Sequence, residues 1–185
     1  GIAKIWSFLK QHPAIDTLCT RLPSLPESVK QHLAFFEKYG LKYVTLLGLD
    51  FRNKTANIYF MIKKPGLFPP DKVTAMLEEL CLKVPTQEAL EHCSKAMIYY
   101  FTFTWDSPHI ERACFGVTES DATKIPTHLD PLLRKYVDHA PILGKERKFI
   151  YNITPSRQNI YIKIENDYTN SMVDLMQSGS QVDPS

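Results

Sequence analysis

The sequence predicts an α+β protein in which antiparallel hairpins alternate with helices, the helices covering one face of the sheet. Three stretches carry the prediction and recur about every fifty residues, at Val44–Met61, Met97–Val117 and Lys148–Asn166. In the return strand of each stretch, apolar side chains alternate with charged or hydrogen-bonding ones. One face of the sheet is therefore apolar and the other polar. The polar face must meet either water or an enclosed cavity.

The first elements follow from local signals. Lys4–Phe8 alternates like a strand, and a loop is predicted after it. A helix is predicted over Pro26–Tyr39, because Pro26 suits a first helical turn and Gly40 suits a left-handed stop. The first hairpin is expected to turn at residues 50–54.

The same alternation of helix and hairpin continues to the end of the chain. The predicted elements are a helix opening at Pro70–Asp71, a shorter helix over Gln87–Ser94, a turn at 106–109, a helix over His128–His139, a turn at 154–157 and a last helix near 170–177. We expect residues 1–177 to form a single domain. Residues 178–185 are polar and contain Gly, Ser and Pro, so they are expected to be a disordered tail.

Composition excludes several classes of protein. The 185 residues are 44% hydrophobic and 23% charged, as in a globular protein with a core. A net charge of +2 is too small to indicate a nucleic-acid partner. No run approaches the ~20 apolar residues of a membrane helix. The four cysteines lack metal-site spacing, so we expect reduced thiols, a cytoplasmic location and no metal ligands.

Three cations on separate strands carry the chemical hypothesis. Lys4, Arg112 and Lys163 each fall on the polar side of a predicted strand. Three such cations converging in a cavity would need an anion to neutralise them, and a diphosphate suits Lys and Arg. Tyr100 and Asn57 could add neutral hydrogen bonds. The spacing alone leaves a second interpretation open, in which these cations lie on a solvent-exposed sheet face.

Aromatic side chains on the same strands indicate what the organic part of a ligand would meet. Trp6, Phe8 and Tyr59 offer π-faces that could stabilise a carbocation. The sequence contains no glycine-rich phosphate loop and no Asp-Asp-x-x-Asp metal motif.

Several segments resemble one known family over about Gly1–Met176. They are Leu49–Phe60, Leu22–Pro26 with Phe36–Leu41, Trp105 with Ile110–Phe115, Lys145–Tyr151 and Tyr161–Lys163. Taken in chain order, they resemble the ABBA-type aromatic prenyltransferases, also called PT-barrel enzymes, and the similarity is collinear. The resemblance implies a barrel of ten antiparallel strands in five α-β-β-α units, with helices outside and the active site in the lumen. It also implies transfer of a dimethylallyl or longer prenyl group from its diphosphate to a phenolic or dihydroxynaphthalene-like ring, by electrophilic aromatic substitution.

The resemblance also assigns site residues by position. The diphosphate-binding set would be Lys4, Asn57, Tyr100, Arg112 and Lys163, of which Lys4, Arg112 and Lys163 would be catalytic. The pocket for the prenyl chain and the aromatic substrate would contain Trp6, Thr45, Leu46, Tyr59, Met97, Ile98, Asp167 and Asp174. Asp167 and Asp174 are the candidate bases for removing the ring proton.

The chain contains three of the family's five hairpins, so we expect an incomplete barrel. A longer protein or another chain would then complete it. The alternatives are an inactive truncated relative that binds an aromatic or prenyl ligand, and an unrelated α+β interaction module. Some family members bind Mg²⁺ through an acidic residue that would lie outside this chain, which leaves a Mg²⁺ requirement open. The acceptor, the prenyl length and the regiochemistry are also left open.

Overall fold

The computed structural model describes residues 3–62, 64–140 and 148–167, with the backbone alone for Asp167. Its strands are β1 (Lys4–Phe8), β2 (Val44–Asp50), β3 (Thr55–Met61), β4 (Ile98–Thr104), β5 (Ile110–Glu119), β6 (Lys148–Pro155) and β7 (Ile160–Asp167). Its helices are α1 (Ile15–Arg21), α2 (Glu27–Gln31), α3 (Leu33–Lys38), α4 (Pro70–Glu79), α5 (Gln87–Ser94) and α6 (Pro131–His139), with a 3₁₀ turn at Ala122–Lys124. The predicted last helix near 170–177 and the predicted tail lie outside the described residues.

The predicted fold class is confirmed. Backbone hydrogen bonds join the seven strands in chain order, from β1 to β7. The four pairings between β1 and β5 are antiparallel, as the hairpin pattern requires. By contacts the chain divides into a first unit, residues 1–117 with 153–161, and a second unit, residues 118–152 with 162–185. Each unit is described below by itself. The single domain over 1–177 stays a prediction.

The predicted division of side chains between two faces is confirmed in the first unit. Ile58 and Phe60 are buried at 0% and 2% exposure, whereas Asn57 and Tyr59, which alternate with them, are only partly covered. Two irregularities interrupt the regular register. One extra residue, Thr45, lies in β2 opposite β3, and another, Glu111, lies in β5 opposite β4. Because of each bulge, residues two apart in the chain point to opposite faces of the sheet. Val44 and Ile110 pair with apolar-face residues, and Leu46 and Arg112 with polar-face residues.

Aromatic packing holds helix α3 against the apolar face of the sheet. The Phe36 ring is fully buried, with its centroid 5.1 Å from that of Phe60 and 5.3 Å from that of Phe101. On the same face, Phe68 packs 5.0 Å from Tyr99, which packs 5.0 Å from Phe115. Burial of such rings is the main source of stability, at roughly 25 cal/mol per Å² of apolar surface.

The loop predicted after β1 is wrong in part, because α1 forms there. Its apolar residues Ile15, Leu18 and Cys19 are buried and follow helical spacing. Its first turn carries Asp16 and its last turn Arg21, both favourable to the helix dipole. The helix has only seven residues, so its apolar residues cover too few turns for their helical spacing to be recognised from the sequence.

The single helix predicted over Pro26–Tyr39 is two helices with a break at His32. The Nδ1 of His32 donates to the carbonyl of Ser28 at 2.7 Å. In a continuous helix that carbonyl would accept from the backbone amide of His32. The amide instead reaches Val29 at 3.3 Å. The side chain thus takes the place of a backbone bond, which ends α2, and α3 begins at Leu33.

The second unit contains α6. It begins at Pro131, three residues after the predicted start at His128, and ends at His139 as predicted. The carboxylate of Asp130 accepts from the amide of Leu132 at 2.8 Å and so fixes the first turn. Leu133 and Val137 form the buried side of α6. Residues of α6 and the side chains of Ile162 and Ile164 line a groove of about 530 Å³.

In the part of the chain that the structure describes, every helix is too short or too polar to cross a bilayer.

Candidate functional site

One row of facing residues crosses the sheet of the first unit from β1 to β5. Trp6 faces Gly48, Gly48 faces Asn57, Asn57 faces Thr102, and Thr102 faces Arg112. Facing residues of an antiparallel pair project to the same side of a sheet. The row therefore brings two predicted diphosphate ligands, Asn57 and Arg112, onto one surface. We call this surface of β1–β5 the polar face.

A second row lies beside the first and is aromatic at its centre. Leu46 faces Tyr59, Tyr59 faces Tyr100, and Tyr100 faces Cys114. The rings of Tyr59 and Tyr100 stack with centroids 4.6 Å apart and planes tilted by 35°. This offset pairing is a favourable aromatic geometry. Tyr59 and Tyr100 thus stand together on the polar face, as the alternation predicted.

Asn57 is oriented by a neighbour that the sequence reasoning did not name. The hydroxyl of Thr102 donates to Oδ1 of Asn57 at 2.7 Å. Thr102 itself is fully buried, whereas Asn57 is partly exposed. With its oxygen engaged, the Asn57 amide is left with the two N–H donors of Nδ2 for a ligand. Donors rather than acceptors are what a diphosphate requires.

The phenol of Tyr100 remains protonated at neutral pH. Burial raises its pKa above the ordinary value, because the phenolate would lose its water. The Cys114 thiol, which is hydrogen-bonded to Tyr100, raises this pKa further, while the Arg112 charge acts in the opposite direction. A protonated phenol is a hydrogen-bond donor. Tyr100 is therefore a neutral donor near Arg112, and its single O–H hydrogen would turn from Cys114 toward a ligand.

Lys4 has a carboxylate partner at the edge of the polar face. Its Nζ lies 3.1 Å from Oδ2 of Asp50, the residue that faces it across β1 and β2. Asp50 also accepts from the backbone amide of Asn53 at 2.9 Å and from Nδ2 of Asn53 at 2.8 Å. These bonds from Asn53, and then those from Lys4, lower the pKa of Asp50 to about 2. Asp50 is thus ionised at neutral pH. It accepts hydrogen bonds from Asn53 in the turn and forms an ion pair with Lys4.

The three predicted cations differ in their partners. Arg112 is half-buried, and no carboxylate within the described residues forms an ion pair with it. Lys163 belongs to the second unit, where its Nζ lies 2.7 Å from Glu165. Both lysines of the predicted set are thus paired. The Lys163–Glu165 pair is exposed on both sides and therefore weak, whereas the Asp50 side chain beside Lys4 is only 7% exposed. Arg112 is the predicted cation left to meet an anion.

Gly48 allows two aromatic rings to lie directly on the backbone of β2. A Cβ at this position would come within 3.3 Å of Cδ1 of Trp6 and within 3.4 Å of Cε2 of Tyr59. Trp6 remains 54% exposed, so its indole covers the backbone on one side and is open on the other. Such a half-open indole is suited to contact an apolar ligand.

The other predicted pocket residues lie mostly around these rows. The Thr45 hydroxyl donates to the carbonyl of Tyr59 at 3.2 Å. Ile98 faces Met61 and Gly116, which places it on the polar face in the row next to Tyr100. Met97 precedes β4, and its amide donates to Gly116 at 3.0 Å. The side chain of Asp167 and all of Asp174 lie outside the described residues.

Sequence reasoning overlooked Thr102, Asp50 and Gly48. Thr102 lies two residues after Tyr100, so the same alternation that selected Tyr100 could have found it. Asp50 was read only as the start of a turn, since nothing in the sequence shows that Lys4 faces it. Gly48 gives no sequence signal, because its role depends on rings from two other strands.

Comparison with known proteins decides the family. The family model described as "Aromatic prenyltransferase Orf2" matches residues 1–179, nearly the whole chain. The chain belongs to this aromatic prenyltransferase family. The resemblance noted from the sequence is therefore confirmed.

Curated members of the aromatic prenyltransferase family match across most of the chain. A 5,10-dihydrophenazine-1-carboxylate 9-dimethylallyltransferase of Streptomyces anulatus is 31% identical over 89% of this chain and 56% of its own length. A flaviolin linalyltransferase of Streptomyces virginiae is 29% identical over 98% of this chain and 62% of its own. A furaquinocin biosynthesis prenyltransferase of Streptomyces sp. (strain KO-3988) is 28% identical over 91% and 55%. The chain thus spans little more than half the length of these relatives.

Proposed function

We propose that this chain supplies the diphosphate-binding wall of an aromatic prenyltransferase. The enzyme would transfer a dimethylallyl or longer prenyl group from its diphosphate to a phenolic or dihydroxynaphthalene-like ring. The observation that supports this most is the row of Asn57, Thr102 and Arg112 with Tyr100 beside it. It presents a guanidinium that has no carboxylate partner among the described residues, together with an amide and a protonated phenol, on one surface. All three groups are donors. Family membership supplies the reaction class.

In the proposed reaction, the bond between the allylic carbon and the diphosphate oxygen breaks, and its electron pair leaves with the diphosphate. Arg112, Asn57 and Tyr100 donate hydrogen bonds to the oxygens on which this charge grows. Lys4 completes the proposed set in the first unit by exchanging its carboxylate partner for the diphosphate. The Lys4 side chain is about half exposed, and Asn53 keeps its hydrogen bonds to the Asp50 carboxylate when Lys4 leaves it. Lys163, in the second unit, stays a proposal that rests on the family resemblance.

The allylic cation is then captured by the aromatic acceptor. A π-electron pair of the ring forms the new carbon–carbon bond, and the proton of the attacked ring carbon leaves to a base. Trp6 and Tyr59 would flank the cation with π-faces and keep water from it. Thr45, Leu46, Met97 and Ile98 would complete the pocket wall. Asp167 and Asp174 stay proposals for the base.

The described residues do not gather three His, Cys, Asp or Glu side chains that could hold a metal ion. Asp50, the carboxylate partner of Lys4, has its oxygens engaged by Asn53 and Lys4. The described residues therefore do not form a magnesium site by themselves. A cytoplasmic location and a second chain that completes the barrel remain predictions.

The test is product detection by mass spectrometry, with and without EDTA. The 185-residue chain would be incubated with dimethylallyl or geranyl diphosphate. The acceptor panel would contain dihydroxynaphthalenes, simple phenols, flaviolin and 5,10-dihydrophenazine-1-carboxylate, the last two taken from the names of the relatives. A product heavier by one prenyl group supports the proposal. Its persistence in EDTA makes the protein's own cations the holders of the diphosphate.

A thermal-shift assay separates the alternative of a non-catalytic binding protein. Stabilisation by dimethylallyl diphosphate without product in any reaction would indicate an intact diphosphate site without turnover. If neither product nor stabilisation is seen, both the enzyme and the binding protein are ruled out for this chain. The polar face would then be an ordinary solvated sheet surface.

A further inference from the structure

Thr102 lies between two proposed diphosphate ligands but cannot touch the ligand itself. In the register it faces Asn57 on one side and Arg112 on the other. Its side chain has 0% exposure, and its hydroxyl donates to Oδ1 of Asn57 at 2.7 Å. We propose that Thr102 is a positioning residue, which holds the Asn57 amide so that its N–H end meets the diphosphate. This inference rests on the proposed function.

The physical basis is the two-ended chemistry of an amide. The Nδ2 end of Asn donates and the Oδ1 end accepts, so only one end attracts a phosphate oxygen. The terminal torsion of a free Asn is broad, which lets either end face outward. A hydrogen bond from Thr102 to Oδ1 fixes the plane of the amide and turns its oxygen toward β4. The Nδ2 end of Asn57 is then the end available to a ligand.

Burial makes this hydrogen bond effective. Because the Thr102 hydroxyl is fully covered, water does not compete for it. A hydrogen bond in such a low-dielectric place is stronger than one in water, and donation to the carbonyl also polarises the N–H groups of the same amide.

The position of Thr102 also sets the spacing of the ligands. Asn57 and Arg112 are separated by one intervening strand, which is roughly 10 Å from backbone to backbone. That gap accommodates a diphosphate with a hydrogen bond at each end. A small β-branched side chain beneath the gap leaves it open, whereas a long one would fill it.

The test compares three single substitutions in the full chain, with inorganic diphosphate as the calorimetric probe. Thr102→Val removes the hydroxyl but keeps the shape and the strand preference of the side chain. Thr102→Ser restores the hydroxyl. Thr104→Val is the matched control, since Thr104 lies two residues further along β4, on the same face, and is partly exposed. Thermal unfolding of each variant verifies that it folds.

We expect Thr102→Val to raise the Kd for inorganic diphosphate about five- to ten-fold, the effect of one hydrogen bond. Thr102→Ser should bind within two-fold of the parent, and so should Thr104→Val. In the ¹⁵N spectrum, the Asn57 side-chain amide should shift when diphosphate is added to the parent, and Thr102→Val should weaken that shift. A merely structural role for Thr102 would leave this signal unchanged.

The outcomes separate the inference from the proposed function. Equal affinity of Thr102→Val and the parent overturns the positioning role while the diphosphate site stands. A loss in Thr102→Val that Thr102→Ser does not restore also overturns it, because the hydroxyl would then not be the cause. A parent chain that does not bind diphosphate overturns both the inference and the proposed site.

Discussion

The Nζ of Lys4 lies 3.1 Å from Oδ2 of Asp50, so the first cation of the proposed diphosphate set already has a buried carboxylate partner. This pair contributes no net charge to the polar face. Net positive charge on the described part of that face therefore comes from Arg112. An arriving diphosphate would meet Arg112 first and would recruit Lys4 only by drawing it from Asp50.

Arg112→Ala should weaken diphosphate binding more than any other single change on the polar face. Loss of charge-assisted hydrogen bonds to an anion typically costs about ten- to a hundred-fold in affinity. Arg112→Lys should fall between alanine and the parent, because it keeps the charge but loses the planar fork. Calorimetry with inorganic diphosphate measures both. Arg134→Ala, on the exposed side of α6, is the charge-matched control. Unchanged binding by Arg112→Ala would remove Arg112 from the site.

Asp50→Asn should change the dependence of stability on pH. The folded-state pKa of Asp50 is lowered to about 2 from its ordinary 3.8. A lowered pKa stabilises the fold above the ordinary value, and this stabilisation is lost as the pH falls from about 4 toward 2. The Tm of the parent should therefore exceed that of Asp50→Asn at pH 7, and the difference should shrink over that acid range.

The control for the pH experiment is Asp106→Asn, an exposed acidic residue in the turn after β4. Its Tm should follow the parent across the whole range. A constant difference in Tm between the parent and Asp50→Asn from pH 7 to pH 2 would show that the ionised carboxylate of Asp50 is not what stabilises the hairpin.

Gly48→Ala should displace the Trp6 indole with little loss of stability. The new Cβ would lie 3.3 Å from Cδ1 of Trp6, closer than ordinary contact. Because Trp6 is 54% exposed, its ring can move outward, so the free energy of unfolding should change by less than about 1 kcal/mol. In a Trp105→Phe background, Trp6 is the remaining tryptophan, and its emission should shift to longer wavelength. An unchanged emission spectrum would contradict the close packing of Trp6 on Gly48.

Phe36→Ala should destabilise the first unit strongly. The ring is fully buried and contacts Phe60 and Phe101, so its removal leaves a cavity in the core. Substitutions of this kind typically cost about 3–5 kcal/mol. Urea unfolding measures the loss. Phe51→Ala is the matched control, because Phe51 is 54% exposed in the turn after β2 and should cost less than about 0.5 kcal/mol. Similar losses in the free energy of unfolding in both variants would show that Phe36 is not part of the core.

The strands and faces of this protein could be predicted from the sequence because a strand has a period of two. Asn57, Tyr100 and Arg112 were each assigned to the polar side of a strand by alternation alone, and each lies there. The bounds of the helices could be predicted less well from the sequence. The break at His32 depends on a side chain that takes a backbone carbonyl, which no apolar spacing reveals.

Pairing between strands was decided by the tertiary structure alone. That Lys4 faces Asp50, that Thr102 lies between Asn57 and Arg112, and that two rings cover Gly48 are all facts of register. Register depends on turns and on bulges such as those at Thr45 and Glu111. Each bulge adds one unpaired residue and so moves every later strand pairing by one position. The sequence by itself therefore determined which side chains share the polar face. Which of them touch, and so which are free to bind an anion, was decided by long-range pairing, because those contacts join residues far apart in the chain.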